Sequence, residues 1–177
     1  MGVPALDGGH LPMGRWVCTP DEVEAAFVTP DTGVRQAIWE DWKVLHAALR
    51  MVVGEIAACW VAGSFVSDKA TPGDIDCVWI VDAQRWVQAW NAADPQARQL
   101  LFEAAKGYIK PRRNIQVDSY VLEWMPSPGP NPVVGGDSYY GRRGYWDDLW
   151  VRVKDPDQRL DSIPRRGYLE VILDGYR

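Results

Sequence analysis

Two runs of this chain are almost wholly apolar, "IAACWVAG" over 56–63 and "IDCVWIVD" over 75–82. Their length, their Gly and Asp boundaries and their content of Val, Ile and Trp predict strands buried within a sheet. A third strand is expected over 114–124, where "NIQVDSYVLEW" alternates and is rich in β-formers. A last strand is expected in "RRGYLEVILD" near the C-terminus.

Helices are predicted between and before these strands. "TPDEVEAAFV" carries a capping box, with Thr19 as N-cap, Pro20 at the first helical position and Glu22 three residues after the cap. About two turns should follow. In "DTGVRQAIWEDWKVLHAALRMVVGE", Ile38, Trp42, Leu45, Leu49 and Val52 recur at intervals of four and three, one stripe of a long amphipathic helix ending near Gly54. Ala83 to Ala92 reads as helix. Asp94-Pro95 opens another, with Leu101, Ala104, Ala105 and Tyr108 as its packing side. "SYYGRRGYWDDLWVRV" is expected to be helical in part. The Gly/Pro-rich segment 1–18 should be extended, and "MPSPGPNPVVGGD" over 125–137 is a loop by composition. The expected fold is therefore one α/β domain spanning 1–177, an α+β arrangement with helices packed on a short mixed sheet.

Composition narrows the class. With 177 residues, 47% hydrophobic and 24% charged, the chain reads as a soluble globular protein. No stretch approaches the ~20 apolar residues a membrane span needs, and no basic region followed by an apolar core marks a secretory leader. Three cysteines, of which Cys59 and Cys77 lie in apolar strands, no CxxC pair and two histidines argue against a zinc site and for a cytoplasmic location. A net charge of −5 weighs against a long nucleic-acid footprint and leaves room only for a local basic patch. The ten tryptophans are expected to pack the core.

The stretch "GSFVSDKATPGDID" (63–76) joins the two buried runs. Asp74 and Asp76 flank Ile75, so along a strand they share a face, roughly 6–7 Å apart at the backbone. Two carboxylates that close are unfavourable without a cation between them, and hard oxygen donors point to Mg²⁺ or Mn²⁺. Two solvated acids at a strand entrance are the plain alternative. Upstream, Ser64 is expected to cap a short helix over "FVSDK", whose free N–H groups with Gly63 and Ser64 would seat a phosphate. Lys69 is either a phosphate contact or a solvated turn residue. Lys106, Lys110, Arg112 and Arg113 in "KGYIKPRRN" either meet a triphosphate or an RNA acceptor, or complement a helix end. In "GRRGYWDD", Asp147 and Asp148 offset the arginines.

Gly-Ser after a buried strand, then a loop, then Asp-x-Asp opening the next strand resembles the signature of the polymerase β-type nucleotidyltransferase superfamily. The resemblance extends to a minimal nucleotidyltransferase-like bacterial and phage branch, through Leu11-Pro12-x-Gly14, Glu22-Val23 with Phe27, Gly63-Ser64-Phe65-Val66-Ser67-Asp68-Lys69 and Pro72-x-Asp74-Ile75-Asp76. It covers roughly residues 10 to 82. It implies a third carboxylate on a neighbouring strand, for which Asp118 is the candidate and Asp82 and Glu123 weaker ones. It further implies Mg²⁺ (or Mn²⁺) held by Asp74, Asp76 and Asp118, phosphates on Gly63, Ser64 and Lys69, and an NTP as substrate. The reaction implied is transfer of a nucleoside monophosphate to a protein, a tRNA or a small molecule, in the manner of a toxin–antitoxin or defence element.

Two other functions stay open at this point. One is a non-catalytic relative that senses nucleotides or binds proteins, which the small size favours. The other is a glycosyltransferase, whose Asp-x-Asp also holds a metal; the short chain and the Gly-Ser element argue against it.

Overall fold

Five strands form one mixed sheet: β1 (Arg15–Cys18), β2 (Ala58–Ala62), β3 (Ile75–Asp82), β4 (Val117–Trp124) and β5 (Tyr168–Ile172), in the order β1-β5-β2-β3-β4. The computed structural model describes residues 2–30, 33–125 and 139–176. β2 runs antiparallel to both of its neighbours, whereas the outer pairs β3–β4 and β1–β5 are parallel. Seven α-helices are present among the described residues: α1 (Pro20–Val23), α2 (Val34–Val53), α3 (Ala83–Ala92), α4 (Pro95–Ala105), α5 (Ile109–Arg113), α6 (Tyr139–Trp150) and α7 (Gln158–Asp161). The mixed α/β expectation is borne out.

Alternation along the strands sends side chains to two different cores. Cys59, Val61, Cys77, Trp79 and Val81 face α2, α4 and α5. Ala58, Trp60, Ala62, Val78, Ile80 and Leu122 face α6. Both faces of the central strands are thus covered, which is why β2 and β3 read as continuous apolar runs. On the first face Trp39 stacks on Trp42 at 4.4 Å between ring centroids, and Trp42 lies 5.3 Å from Trp79. Such ring pairs contribute about 0.5–1.5 kcal/mol each beyond their buried area.

Local signals explain most boundaries. Glu22 N donates to Thr19 Oγ1 at 3.2 Å and Thr19 N to Glu22 Oε2 at 2.8 Å, the predicted capping box. The chain then continues through a π-type turn over Glu24–Val28. Asp82 caps α3 by accepting from Gln84 N and Arg85 N, and Asp94 caps α4 by accepting from Ala97 N. α2 buries Ile38, Trp42, Leu45 and Leu49 as its spacing required, but Val53 completes the stripe and Val52 is only half-buried.

Three expectations need correcting. Segment 1–18 does not merely run extended: its last four residues are β1, which pairs with β5 from Arg15↔Tyr168 to Cys18↔Val171. Tyr108 does not pack inward with Leu101 and Ala104; it is exposed beneath the Arg112 guanidinium. No helix forms over "FVSDK": a four-residue 3₁₀ turn spans Gly63–Val66, and Ser67 is extended. The loop expected over 125–137 lies, apart from Met125, outside the described residues.

Candidate functional site

The parallel pairing of β3 with β4 sets Asp76 directly opposite Asp118. On the other side of β3, Asp76 is the antiparallel partner of Ala62, the residue before Gly63. Asp74 enters β3 two residues earlier, on the same face. The three carboxylates therefore gather where β2 ends and β3 and β4 begin, on the sheet face that α6 covers. They border a cleft of about 740 Å³ that also includes Gly63, Ser64, Lys69, Tyr120, Lys154 and Arg166.

Gly63 is required by this arrangement. Its φ of +78° lies in the left-handed region that favours glycine. A Cβ there would stand 1.7 Å from Asp76 Oδ2. The missing side chain is the space the Asp76 carboxylate occupies. Ser64 sits inside the 3₁₀ turn and is not a helix cap; its carbonyl accepts from Ser67 Oγ at 2.8 Å. The phosphate seat expected of a helix N-terminus is thus reduced to the Ser64 hydroxyl and the amides of one tight turn.

Arg35 holds that turn in place. The residue is only 7% exposed, and its guanidinium donates to the carbonyls of Phe65 (3.0 Å), Ser67 (2.8 Å) and Lys69 (2.6 Å). In the sequence it looks like one more cation on an amphipathic helix. Nothing local marks it as a clamp for a loop thirty residues on.

The electrostatics of the cleft follow from burial and like charge. Burial, with Asp74 and Asp118 adding repulsion, pushes the Asp76 carboxyl up to about 6. Burial and Asp74 likewise raise Asp118, against a hydrogen bond from the Tyr120 hydroxyl and the pull of Lys110 and Lys154. Tyr120 is in turn pushed up to about 12 by burial and by Asp118, so it remains a donor at neutral pH. Lys110 Nζ lies 2.6 Å from Asp74 Oδ2, and that bond raises its pKa. Arg166, half-buried and donating from Nε to Trp150 O, faces Asp76.

The basic cluster of 106–114 divides. Lys110 reaches the carboxylates, whereas Arg112 and Arg113 pair with buried Glu103 at 3.5 and 2.5 Å. Burial alone would raise Glu103, but hydrogen bonds from Gln99 and Arg113 outweigh it and hold the carboxyl low. The two weaker candidates for a third carboxylate have other partners: Asp82 caps α3, and Glu123 holds Arg142 at 2.9 Å. Arg143 and Asp147 pair along α6, and Arg152, just beyond its end, pairs with Asp148.

The donor set is carboxylate oxygen from Asp74, Asp76 and Asp118, which suits a hard divalent cation, and the raised Asp76 is the kind of half-buried like-charge member such an ion would relieve. Among the described residues, no three acidic, imidazole or thiolate side chains already stand at ligating distance of one point. Asp74 is turned to Lys110. All three cysteines are buried and free.

A family model for a family of unknown function (DUF6932) matches residues 4–172, and the chain belongs to that family. No curated protein and no solved structure matches it.

Proposed function

We propose that this member of the family is a metal-dependent nucleotidyltransferase of the polymerase β type, moving a nucleoside monophosphate from an NTP to an acceptor hydroxyl. One observation carries the reading: Asp74, Asp76 and Asp118 share one sheet face beside a glycine turn whose missing Cβ makes room for Asp76. Carboxylates this close, one of them pushed up to about 6, are costly to the fold and need a functional reason.

In this reading the three aspartates hold Mg²⁺ or Mn²⁺. When bound, the cation supplies Lewis-acid polarisation of the α-phosphate and eases ionisation of the attacking hydroxyl. Ser64 Oγ, the turn amides at Gly63 and Ser64, and Lys69 hold the departing pyrophosphate. Lys154 and Arg166 offset charge at the same cleft. Asp118, oriented by the Tyr120 hydroxyl, takes the proton of the attacking hydroxyl. Positioning and electrostatics supply most of the rate, as in phosphoryl transfer generally. A cytoplasmic location and a toxin–antitoxin or defence role belong to the same proposal.

A second reading has its own observation. The Lys110 ammonium already neutralises Asp74, which suits a module that senses nucleotides without chemistry. Incubation with NTPs labelled at the α-phosphate, Mg²⁺ and candidate acceptors separates the two. Transfer of label that disappears in Asp76→Asn supports the enzyme. NTP binding with neither transfer nor pyrophosphate release supports the sensor.

A further inference from the structure

A second cavity, of about 860 Å³, opens beyond the β4 edge of the sheet. Three helices wall it with aromatic rings: Trp86 and Trp90 of α3, Phe102 of α4, and Tyr145 and Trp146 of α6. Phe102 is 38% and Tyr145 59% exposed, so these two rings are largely open to solvent, whereas Trp86, Trp90 and Trp146 also pack against the cores. Tyr145 and Trp146 line this cavity and the carboxylate cleft alike. Trp146 packs against Tyr120 at 4.6 Å between ring centroids, and the Tyr120 hydroxyl bonds Asp118. The two cavities are therefore neighbours across a wall of two rings that ends at Asp118.

The order of parts across the sheet gives this neighbour a direction. The Gly63-Ser64 turn follows β2, Asp74 immediately precedes β3 and Asp76 belongs to it, Asp118 and Tyr120 belong to β4, and the aromatic cavity lies beyond β4. In a phosphoryl displacement the attacking and leaving oxygens are roughly in line. A pyrophosphate leaving toward Gly63 requires a nucleophile arriving from the Asp118 side, which is the side of the aromatic cavity.

We infer that this cavity seats the acceptor, and that the acceptor is a nucleotide whose planar base stacks on the rings. This rests on the nucleotidyltransferase reading and names the substrate it leaves open. Every base presents a π-face that stacks on aromatic side chains, and several rings converge here. The charges fit a single phosphate. Glu123 pairs with Arg142 at 2.9 Å, and among the described residues the exposed Lys106 is a further cation at the cavity rim. A chain of net charge −5 does not grip a long backbone, so contact is confined to one nucleotide, free or at the 3′ end of an RNA. The step balances: the acceptor hydroxyl oxygen bonds the α-phosphorus, the bond from the α-phosphorus to the bridging oxygen breaks, pyrophosphate leaves with that oxygen, and the hydroxyl proton goes to Asp118.

The test needs neither NTP nor metal, so it stands apart from catalysis. Tryptophan fluorescence is titrated with adenosine monophosphate, with a short RNA ending in a 3′ hydroxyl, with a tyrosine-containing peptide and with a polycationic amino sugar. Both nucleotide probes should quench saturably. At least tenfold tighter binding of the RNA identifies a polynucleotide end, and equal affinity identifies a free nucleotide. Val87→Asp, at an exposed position of the cavity wall, and Lys106→Ala should each weaken binding about tenfold. Melting curves matching the wild type show that the variants fold. Absence of quenching by either nucleotide, preference for the peptide or the amino sugar, or unchanged affinity in both variants overturns the inference. Nucleotide binding here without any transfer activity would instead count against the enzyme reading alone.

Discussion

Asp76 of β3 and Asp118 of β4 are register partners on adjacent parallel strands, so their side chains leave the same face of the sheet side by side. Like charges directly opposite each other are destabilising, and here both are half-buried. The fold tolerates the pair at a cost, and that cost is measurable.

Asp76→Asn keeps the shape and removes the charge. A rise from 3.8 to about 6 corresponds to roughly 3 kcal/mol as an upper limit. The variant should be more stable than the wild type by ~1–3 kcal/mol at neutral pH, seen as a higher Tm in thermal melts. A lower Tm would contradict a costly charge at this position.

The same group sets a pH dependence. Its folded pKa lies above its unfolded value, so the folded state binds the proton more tightly, and stability falls as pH rises from about 4 to about 6. Above that window the loss is complete and constant. Raised Asp118 adds in the same direction. Denaturant titrations across this range should show the decline in the wild type and a shallower one in Asp76→Asn, and added Mn²⁺ should reduce it in the wild type alone. Equal slopes with and without Asp76 would refute the assignment.

Gly63→Ala tests the turn. With φ at +78° and a Cβ that would stand 1.7 Å from Asp76 Oδ2, the variant must move either the backbone or the carboxylate. A loss of ~2–4 kcal/mol in chemical denaturation is expected. By contrast, Gly73→Ala, where nothing lies within 4 Å of an added Cβ, should change stability by less than about 1 kcal/mol.

Arg35→Met removes three guanidinium bonds to the loop carbonyls of Phe65, Ser67 and Lys69. Hydrogen bonds to charged groups contribute about 1.5–3 kcal/mol each and act together here, so a loss of ~3 kcal/mol or more is expected. Amide exchange over 64–69 should accelerate before that of β3. Uniform acceleration along the chain would show that Arg35 supports the core and not the loop.

Much of the framework was legible because its signals are local. Residues 75–82 and 83–92 emerge as β3 and α3 at the bounds their patterns suggested, since an apolar run ending in Asp both closes a strand and caps a helix. The alternation that put Asp74 and Asp76 on one face also holds. What was hidden depends on distant partners. β1 is four residues long and exists because β5, some 150 residues later, supplies its ladder. Arg35 is buried by a loop, not by its own helix. Lys110 reads as a helix-end charge until α5 brings it to Asp74. The aromatic cavity is assembled from α3, α4, β4 and α6, a conjunction that no single stretch of sequence displays.

Calorimetric titration of a non-hydrolysable NTP into the protein, with and without Mn²⁺, tests the central claim most directly when run on the wild type and on Asp118→Asn. Binding that requires the cation in the wild type and weakens at least tenfold in the variant is the predicted result. Cation-independent binding, or equal affinity in the two proteins, would contradict a metal–nucleotide site built on Asp74, Asp76 and Asp118.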